Sequence, residues 1–295
     1  MVLHEAVMNK EALAFLNPRP GQVFVDCTLG MGGHAEGILK KISPKGRLIG
    51  IDRDEESLGL AKKRLEEFST NCFFVNEDFR NLDAVLNNLS IKKVDGMLFD
   101  LGVSSWQLDS LERGFSIKSD APLDMRMDKR SYVSAYDLVN SLSEGEIDNI
   151  LHTFGEERFH NRIAHLLVEE RAKEPISTTR ELSDIVLKAI PYRYQSRHIH
   201  PATRTFQAFR IAVNRELEAL ESALDKAADL LKVGGRIGVI SFHSLEDRIV
   251  KNSFKKFHKE KKFKIITKKP IRPTAEEMRQ NPRSRSAKLR AAERI

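Results

Sequence analysis

Three observations predict a doubly wound, Rossmann-like α/β sheet interrupted by an inserted all-helical domain. Short apolar runs alternate with amphipathic stretches over the first hundred residues, that rhythm gives way after Asp100 to capped helical patterns, and it resumes near residue 236. VFVD at 23–26, RLIGID at 47–52, CFFV at 72–75 and DGMLFD at 95–100 are rich in β-branched and aromatic residues and apolar on both faces, as buried parallel strands are. The stretches between them, such as Leu58, Ala61, Leu65 and Phe68, carry apolar residues at helical spacing and predict helices on both sides of the sheet.

From about 106 to 200 no strand pattern recurs. Ser143 with Glu146 forms a capping box ahead of Ile147, Ile150, Leu151 and Phe154, and Gly155 stands where a helix C-terminus favours glycine. Phe159, Ile163, Leu166 and Leu167 repeat the pattern. Thr178 with Glu181 opens a third helix that stops before Pro191. One long helix is expected from Phe206 to Leu231, ending at Gly234 and Gly235, followed by a buried strand at 236–242 and two edge strands at 262–267 and 288–295. The expected organisation is a sheet domain of 1–105 and 201–295 with a helical substrate-recognition domain of 106–200.

The chain has 295 residues, 41% apolar and 31% charged, enough to bury one large core or two and too apolar for a disordered protein. Cys27 and Cys72 are too few for a disulfide framework or a structural zinc cluster, and no apolar run reaches the roughly 18 residues that span a bilayer, so the cytoplasm is the expected location. The net charge of +7 is uneven: residues 251–295 hold 16 Lys and Arg against 4 Asp and Glu, while residues 1–250 hold 33 against 38. Such segregation is more than solubility demands and points to a polyanion partner, although a solvated basic tail is the plainer explanation.

The segment DCTLGMGGH, Asp26 to His34, follows the first strand, where an α/β sheet binds its ligand. Gly30, Gly32 and Gly33 let backbone approach a ligand, and Asp52 ends the second strand, placed to accept hydrogen bonds from ribose hydroxyls. Tight strand-to-helix turns also use glycine for steric reasons alone. Asp26 beside the glycine turn would repel the pyrophosphate of a dinucleotide and attract a cationic ligand, which favours S-adenosylmethionine over NAD. Glu77 and Asp78 follow the third strand, where an acid can accept the adenine amino group and Phe79 can stack on the ring or simply fill the core. Asp100 ends the fourth strand, with Trp106 and Gln107 shortly after it, at the mouth of the same crevice.

These segments together, with RGFS at 113–116, PLDMRMD at 122–128, GEERF at 155–159, HPATRTFQA at 200–208, ISFHSLEDRIVK at 240–251 and NPRSRSAKLRAAERI at 281–295, resemble the bacterial RsmH (MraW) family over nearly the whole chain. The resemblance implies an S-adenosylmethionine-dependent methyltransferase of small-subunit (16S) ribosomal RNA, acting on the 4-amino group of a cytidine in the decoding centre. It implies cofactor contacts at Gly32, Gly33, His34, Asp52, Phe79, Asp100 and Gln107. Members usually begin with several residues, a histidine among them, ahead of a VL-x-E segment, whereas this chain starts inside it at Val2-Leu3-His4-Glu5.

A cytosine amino lone pair is delocalised into the ring, so an acceptor must hold its hydrogens out of plane, and Asp100 is the candidate. DNA amino-methyltransferases place a D/N/S-P-P-Y/F motif there. Asp100-Leu101-Gly102-Val103 has neither the proline pair nor the aromatic, so a base platform must come from elsewhere, with Trp106 and Phe115 as candidates. His243 either orients substrate or is structural, Asp124, Arg126 and Asp128 could brace the two domains, and Arg204, Arg210 and the C-terminal lysines are candidate phosphate contacts. No His or Cys cluster has metal-ligand spacing. Two other readings fit the same fold: an NAD-dependent oxidoreductase, and a basic RNA-binding assembly factor that keeps a vestigial pocket.

Overall fold

A computed structural model describes residues 6–195 and 199–295, so the Val2–Glu5 start lies outside them. The chain divides into two compact units, residues 1–104 with 217–295 and residues 105–216.

The first unit is built on seven strands: β1 (Val23–Asp26), β2 (Arg47–Asp52), β3 (Cys72–Asn76), β4 (Val94–Asp100), β5 (Leu231–Ser241), β6 (Phe263–Ile265) and β7 (Lys288–Arg294). Their order is β3-β2-β1-β4-β5-β7-β6. The first five pair in parallel, and β7 runs antiparallel to both β5 and β6. Sheet order reverses between β1 and β4, which makes the crevice beyond their carboxyl ends the switch point where such sheets bind ligands.

The period of two sorts the strand side chains into two layers. Phe24, Leu48, Leu98 and Ile240 pack with helices α1 (Asn9–Leu16), α2 (Gly33–Ile42) and α3 (Glu55–Arg64). Val25, Ile49, Met97 and Val239 pack with α4 (Leu82–Asn88) and with two later helices, Glu216–Leu230 and Ser244–Lys259. Gly96 is there because Phe24 needs the room: a Cβ on Gly96 would lie 2.1 Å from Phe24 Cε1.

The second unit contains α5 (Ser105–Asp109), α6 (Ala135–Ser141), α7 (Glu144–Gly155), α8 (His160–Arg171), α9 (Thr179–Ala189) and α10 (Thr203–Asn214), and α11 (Glu216–Leu230) and α12 (Ser244–Lys259) follow in the chain. The capping boxes at Ser143/Glu146 and Thr178/Glu181 both form, each cap hydroxyl accepting the N3 amide while the glutamate accepts the cap's own amide.

Several expectations need correction. Gly155 is the last helical residue of α7, and Glu156, at φ 46°, makes the left-handed cap instead. Gly155 is small because a Cβ there would lie 2.9 Å from the Arg204 carbonyl oxygen on α10. The single long helix expected from 206 to 231 is two, broken at Arg215 (φ 49°), next to an Asn214 whose side-chain amide is tied to Met125 O and Met127 N at 2.8 Å each. Because α10 packs on α6 and α7, the second boundary between units falls after Glu216 rather than at 200. Gly234 and Gly235 lie within β5, not at a helix end. β7 is an interior strand, not an edge, and the basic segment 251–295 is no loose tail but forms most of α12 together with β6 and β7.

Candidate active site

Three adjacent parallel strands each end on an aspartate: Asp26 on β1, Asp52 on β2 and Asp100 on β4. Parallel pairing carries all three to the same rim of the sheet. The turn after β1 closes on itself through Gly32 N–H to Leu29 O at 2.8 Å, with Gly30 (φ 51°) and Gly32 (φ 80°) in the left-handed region. Among the described residues a Cβ on Gly30 would meet only Thr28 O at 4.0 Å, while Gly32 and Gly33 are held against Leu65 and Ala6.

Each carboxylate has a different degree of satisfaction. Asp52 accepts the amide of Gly30 at 2.7 Å and of Asp54 at 2.9 Å, locking the β1 turn to the end of β2 and leaving one lone pair on each oxygen for an outside donor. Asp26 is 1% exposed, and while Oδ1 accepts Thr28 N–H at 3.2 Å, Oδ2 has no partner among the described residues. Asp100 is anchored by its own amide donating to Thr28 Oγ1 at 2.6 Å, its Oδ2 lies 3.4 Å from His34 Nε2, and Oδ1 is buried without a partner among the described residues. Neither ring nitrogen of the buried His34 makes a hydrogen bond of good geometry, the 3.4 Å approach to Asp100 being an ion-pair contact. Native interiors rarely leave buried polar atoms unpaired, so their convergence at one rim marks a site shaped for a polar ligand.

The electrostatics follow from crowding acids in a dry place. Burial, with Asp100 and Asp52 adding to it against the opposing pull of His34, pushes Asp26 up to about 7. Burial likewise raises Asp52 to about 6, against the amides of Asp54 and Gly30. Burial alone would lower His34, but Asp100 and then Asp26 outweigh it and hold the imidazole above its ordinary value. Burial, then Asp26, drives the Cys27 thiol well above its ordinary range, so it is an inert neighbour.

The rest of the rim is more committed than the sequence suggested. Asp78 caps the short turn Phe79–Asn81 by accepting Arg80 N–H at 2.8 Å and pairs with Arg53 Nη1 at 3.3 Å. Phe79 is buried, edge-to-face with Phe99 at 5.7 Å, so an adenine would meet a wall seated in the core rather than a free ring. His243 is the N-cap of α12: Nδ1 accepts Glu246 N–H at 3.4 Å and Nε2 sits 3.1 Å from Glu246 Oε1. That is a structural use of the side chain.

In the helical unit, Gln107 is buried on α5, and half-buried Trp106 keeps a buried Nε1 without a partner. Phe115 is buried with the Arg113 guanidinium 6.0 Å from its ring centre. Asp124 pairs with Arg126 at 2.7 Å and Asp128 with Arg130 at 2.8 Å, pairs that staple one loop of the helical unit. Arg210 forks onto Glu216 with both bonds at 2.9 Å, whereas Arg204 is exposed and donates to the Glu156 carbonyl at 3.0 Å. Two participants were missed from sequence, Thr28 and Arg53. A hydroxyl inside DCTLG was the available signal for the first, and nothing local signalled the second.

The model of the MraW methylase family matches residues 1–295, the whole chain. The chain belongs to the MraW methylase family. Among curated MraW relatives, ribosomal RNA small subunit methyltransferase H of Sulfurihydrogenibium sp. is 52% identical with 100% of both chains covered, and that of Clostridium botulinum strain Kyoto is 50% identical over 99% of each. Similar solved structures include an rRNA methylase from Streptococcus thermophilus, at TM-score 0.46 and 12% identity over 100% of this chain and 99% of that one. The strand order of this MraW member is that of a doubly wound, Rossmann-like sheet with an antiparallel strand seated between β5 and β6. No helix among the described residues is long and apolar enough to cross a membrane.

Proposed function

We propose that the protein transfers a methyl group from S-adenosyl-L-methionine to the exocyclic 4-amino group of a cytidine in small-subunit (16S) ribosomal RNA, at the decoding centre and in the cytoplasm. Family membership over the full chain and relatives named as small-subunit rRNA methyltransferases support the reaction class. The cytidine rests on the sequence resemblance. The observation that carries the cofactor reading is the acid rim of Asp26, Asp52 and Asp100 with its unpartnered Asp26 Oδ2, His34 and Asp100 Oδ1 atoms. A nucleoside bearing ammonium and sulfonium charge fits it, whereas a pyrophosphate would meet the carboxyls of Asp26, Asp52 and Asp100 with His34, and an Arg53 already paired with Asp78, to offset them.

S-Adenosylmethionine supplies an electrophilic methyl on a sulfonium and departs as the neutral thioether. The chain's own work is positional. Asp52, bridging Gly30 and Asp54, presents its free lone pairs to ribose hydroxyls, and Gly30, which has no Cβ, admits the nucleoside. Asp100, held from behind by Thr28 and His34, keeps Oδ1 available to accept an amino hydrogen, turning the nitrogen lone pair out of the ring plane and toward the methyl carbon. As the N–C bond forms, the nitrogen sheds that proton to the carboxylate.

RNA is drawn in by charge. Lys251, Lys255 and Lys259 recur at i, i+4 and i+8 on the exposed side of α12, and none pairs with a carboxylate among the described residues, unlike Lys256 with Asp225. A like-charge row costs an isolated helix a few tenths of a kcal/mol per pair, a cost that a phosphate backbone reverses. In this reading the helical unit recognises the substrate, with Trp106 and Arg204 among its contacts, and Gln107 stays a cofactor contact.

The test is incubation with methyl-labelled S-adenosylmethionine and small ribosomal subunits, followed by mapping of the label. One labelled cytidine 4-amino group is expected. Label on another nucleotide, or none, refutes the proposal.

A further inference from the structure

We propose that the helical unit carries a docking surface for unpaired RNA bases, made by the single turn Tyr192–Tyr194 with Arg158, Phe159 and Arg204. The inference rests on the ribosomal RNA reading above and gives that RNA a place on this unit.

The turn is rigid. Pro191 fixes its entry, Tyr194 N–H donates to Pro191 O at 2.8 Å, and the Gln195 amide reaches back to Leu187 O at 3.2 Å and Ile190 O at 3.0 Å, fastening the turn to the end of α9. Yet its side chains are not used by the core: Tyr192 is 88% exposed and Tyr194 42%. The Tyr194 ring gathers cations, with the Arg158 guanidinium 4.7 Å and the Arg193 guanidinium 4.9 Å from its centre, and Phe159 tilted against it at 5.2 Å. Arg204 donates to the carbonyl of Glu156, two residues before Arg158, at 3.0 Å.

None of Arg158, Arg193 and Arg204 is paired with a carboxylate among the described residues. Three uncompensated guanidinium groups repel one another, and wet tyrosines give up burial, so the fold gains little from the arrangement. Unpaired RNA answers both deficits at once: a base stacks on a tyrosine ring or guanidinium plane, while its phosphates neutralise the arginines. A duplex, whose bases are already stacked, offers only the second contact.

The test uses the full chain with a fluorescein-labelled unstructured ten-nucleotide RNA and a duplex of the same length, read by anisotropy. Tyr192→Ala is expected to weaken the single strand about 5- to 100-fold while sparing the duplex, and Tyr192→Phe to bind as the unaltered protein does. Arg193→Ala, at an exposed site that cannot unfold the unit, weakens both. The surface is overturned if the unaltered protein does not prefer the single strand, or if Tyr192→Ala and Arg193→Ala both bind it normally, as they would were the patch a contact for a protein. Methyl transfer to small subunits is measured in parallel. Lost single-strand binding in a protein that never methylates subunits leaves the surface standing and sinks the functional proposal, and intact binding by the variants of an active enzyme does the opposite.

Discussion

Replacing Asp26 by asparagine should make the protein more stable and a worse methyltransferase, with the gain growing as pH rises. Asp26 is 1% exposed and its carboxyl is pushed from 3.8 to about 7, chiefly by burial. Between those values the folded chain keeps a proton that the unfolded chain releases, so stability falls as pH rises through the interval. The penalty is absent below about 4 and complete above about 7, where a displacement of this size amounts to roughly 4 kcal/mol. Asp26→Asn keeps the shape and the oxygen that accepts Thr28 N–H at 3.2 Å but cannot ionise. Its melting temperature should therefore approach that of the unaltered protein at pH 4 and below and exceed it near pH 8, by on the order of 10 °C if the full penalty is relieved. S-Adenosylmethionine affinity by calorimetry should fall about 10- to 100-fold, since a contact to a charged group is lost. A melting difference that does not change between pH 5 and pH 8, or a variant less stable at pH 8, would refute the reasoning that an unneutralised acid is stored at this rim for a cation.

Other perturbations probe separate links. Asp100→Asn should slow single-turnover methyl transfer at saturating S-adenosylmethionine about 10²- to 10⁴-fold, and undiminished turnover would remove its catalytic role. Gly96→Ala drives a methyl to 2.1 Å from Phe24 Cε1, and denaturant titration should show a loss of about 1–3 kcal/mol. Changing Lys251, Lys255 and Lys259 together to alanine should reduce the slope of log affinity against log salt for single-stranded RNA by about 2, and an unchanged slope would take α12 out of the interface.

The parallel strands were readable almost to the residue because burial on both faces forces continuous apolar runs: VFVD is β1 and RLIGID is β2. The capping boxes were legible for a local reason, since cap and N3 residues satisfy each other without help from the rest of the fold. What escaped was set at a distance. The break at Arg215 depends on Asn214 gripping a loop some ninety residues earlier, and the interior position of β7 depends on pairing with strands on either side that no local pattern records. The site divides the same way. Strand-end aspartates and turn glycines could be placed from sequence, but the state of each acid could not, because it depends on whether neighbours satisfy it. Asp52 is doubly bonded and Asp78 is taken by Arg53, whereas Asp26 is left with a bare oxygen. Arg210 looked like a free cation for the same reason, and Glu216 absorbs it.

The seating of β7 between β5 and β6 governs the order in which this protein can come into being. During synthesis β5 emerges with one flank already matched to β4, but its other flank stays a row of bare amides and carbonyls until residues 288–294 leave the ribosome. Any chain halted before Lys288 would thus expose an apolar strand edge, a template for clumping with its siblings and an invitation to proteases. The folding of this sheet therefore waits on the codons for residues 288–294.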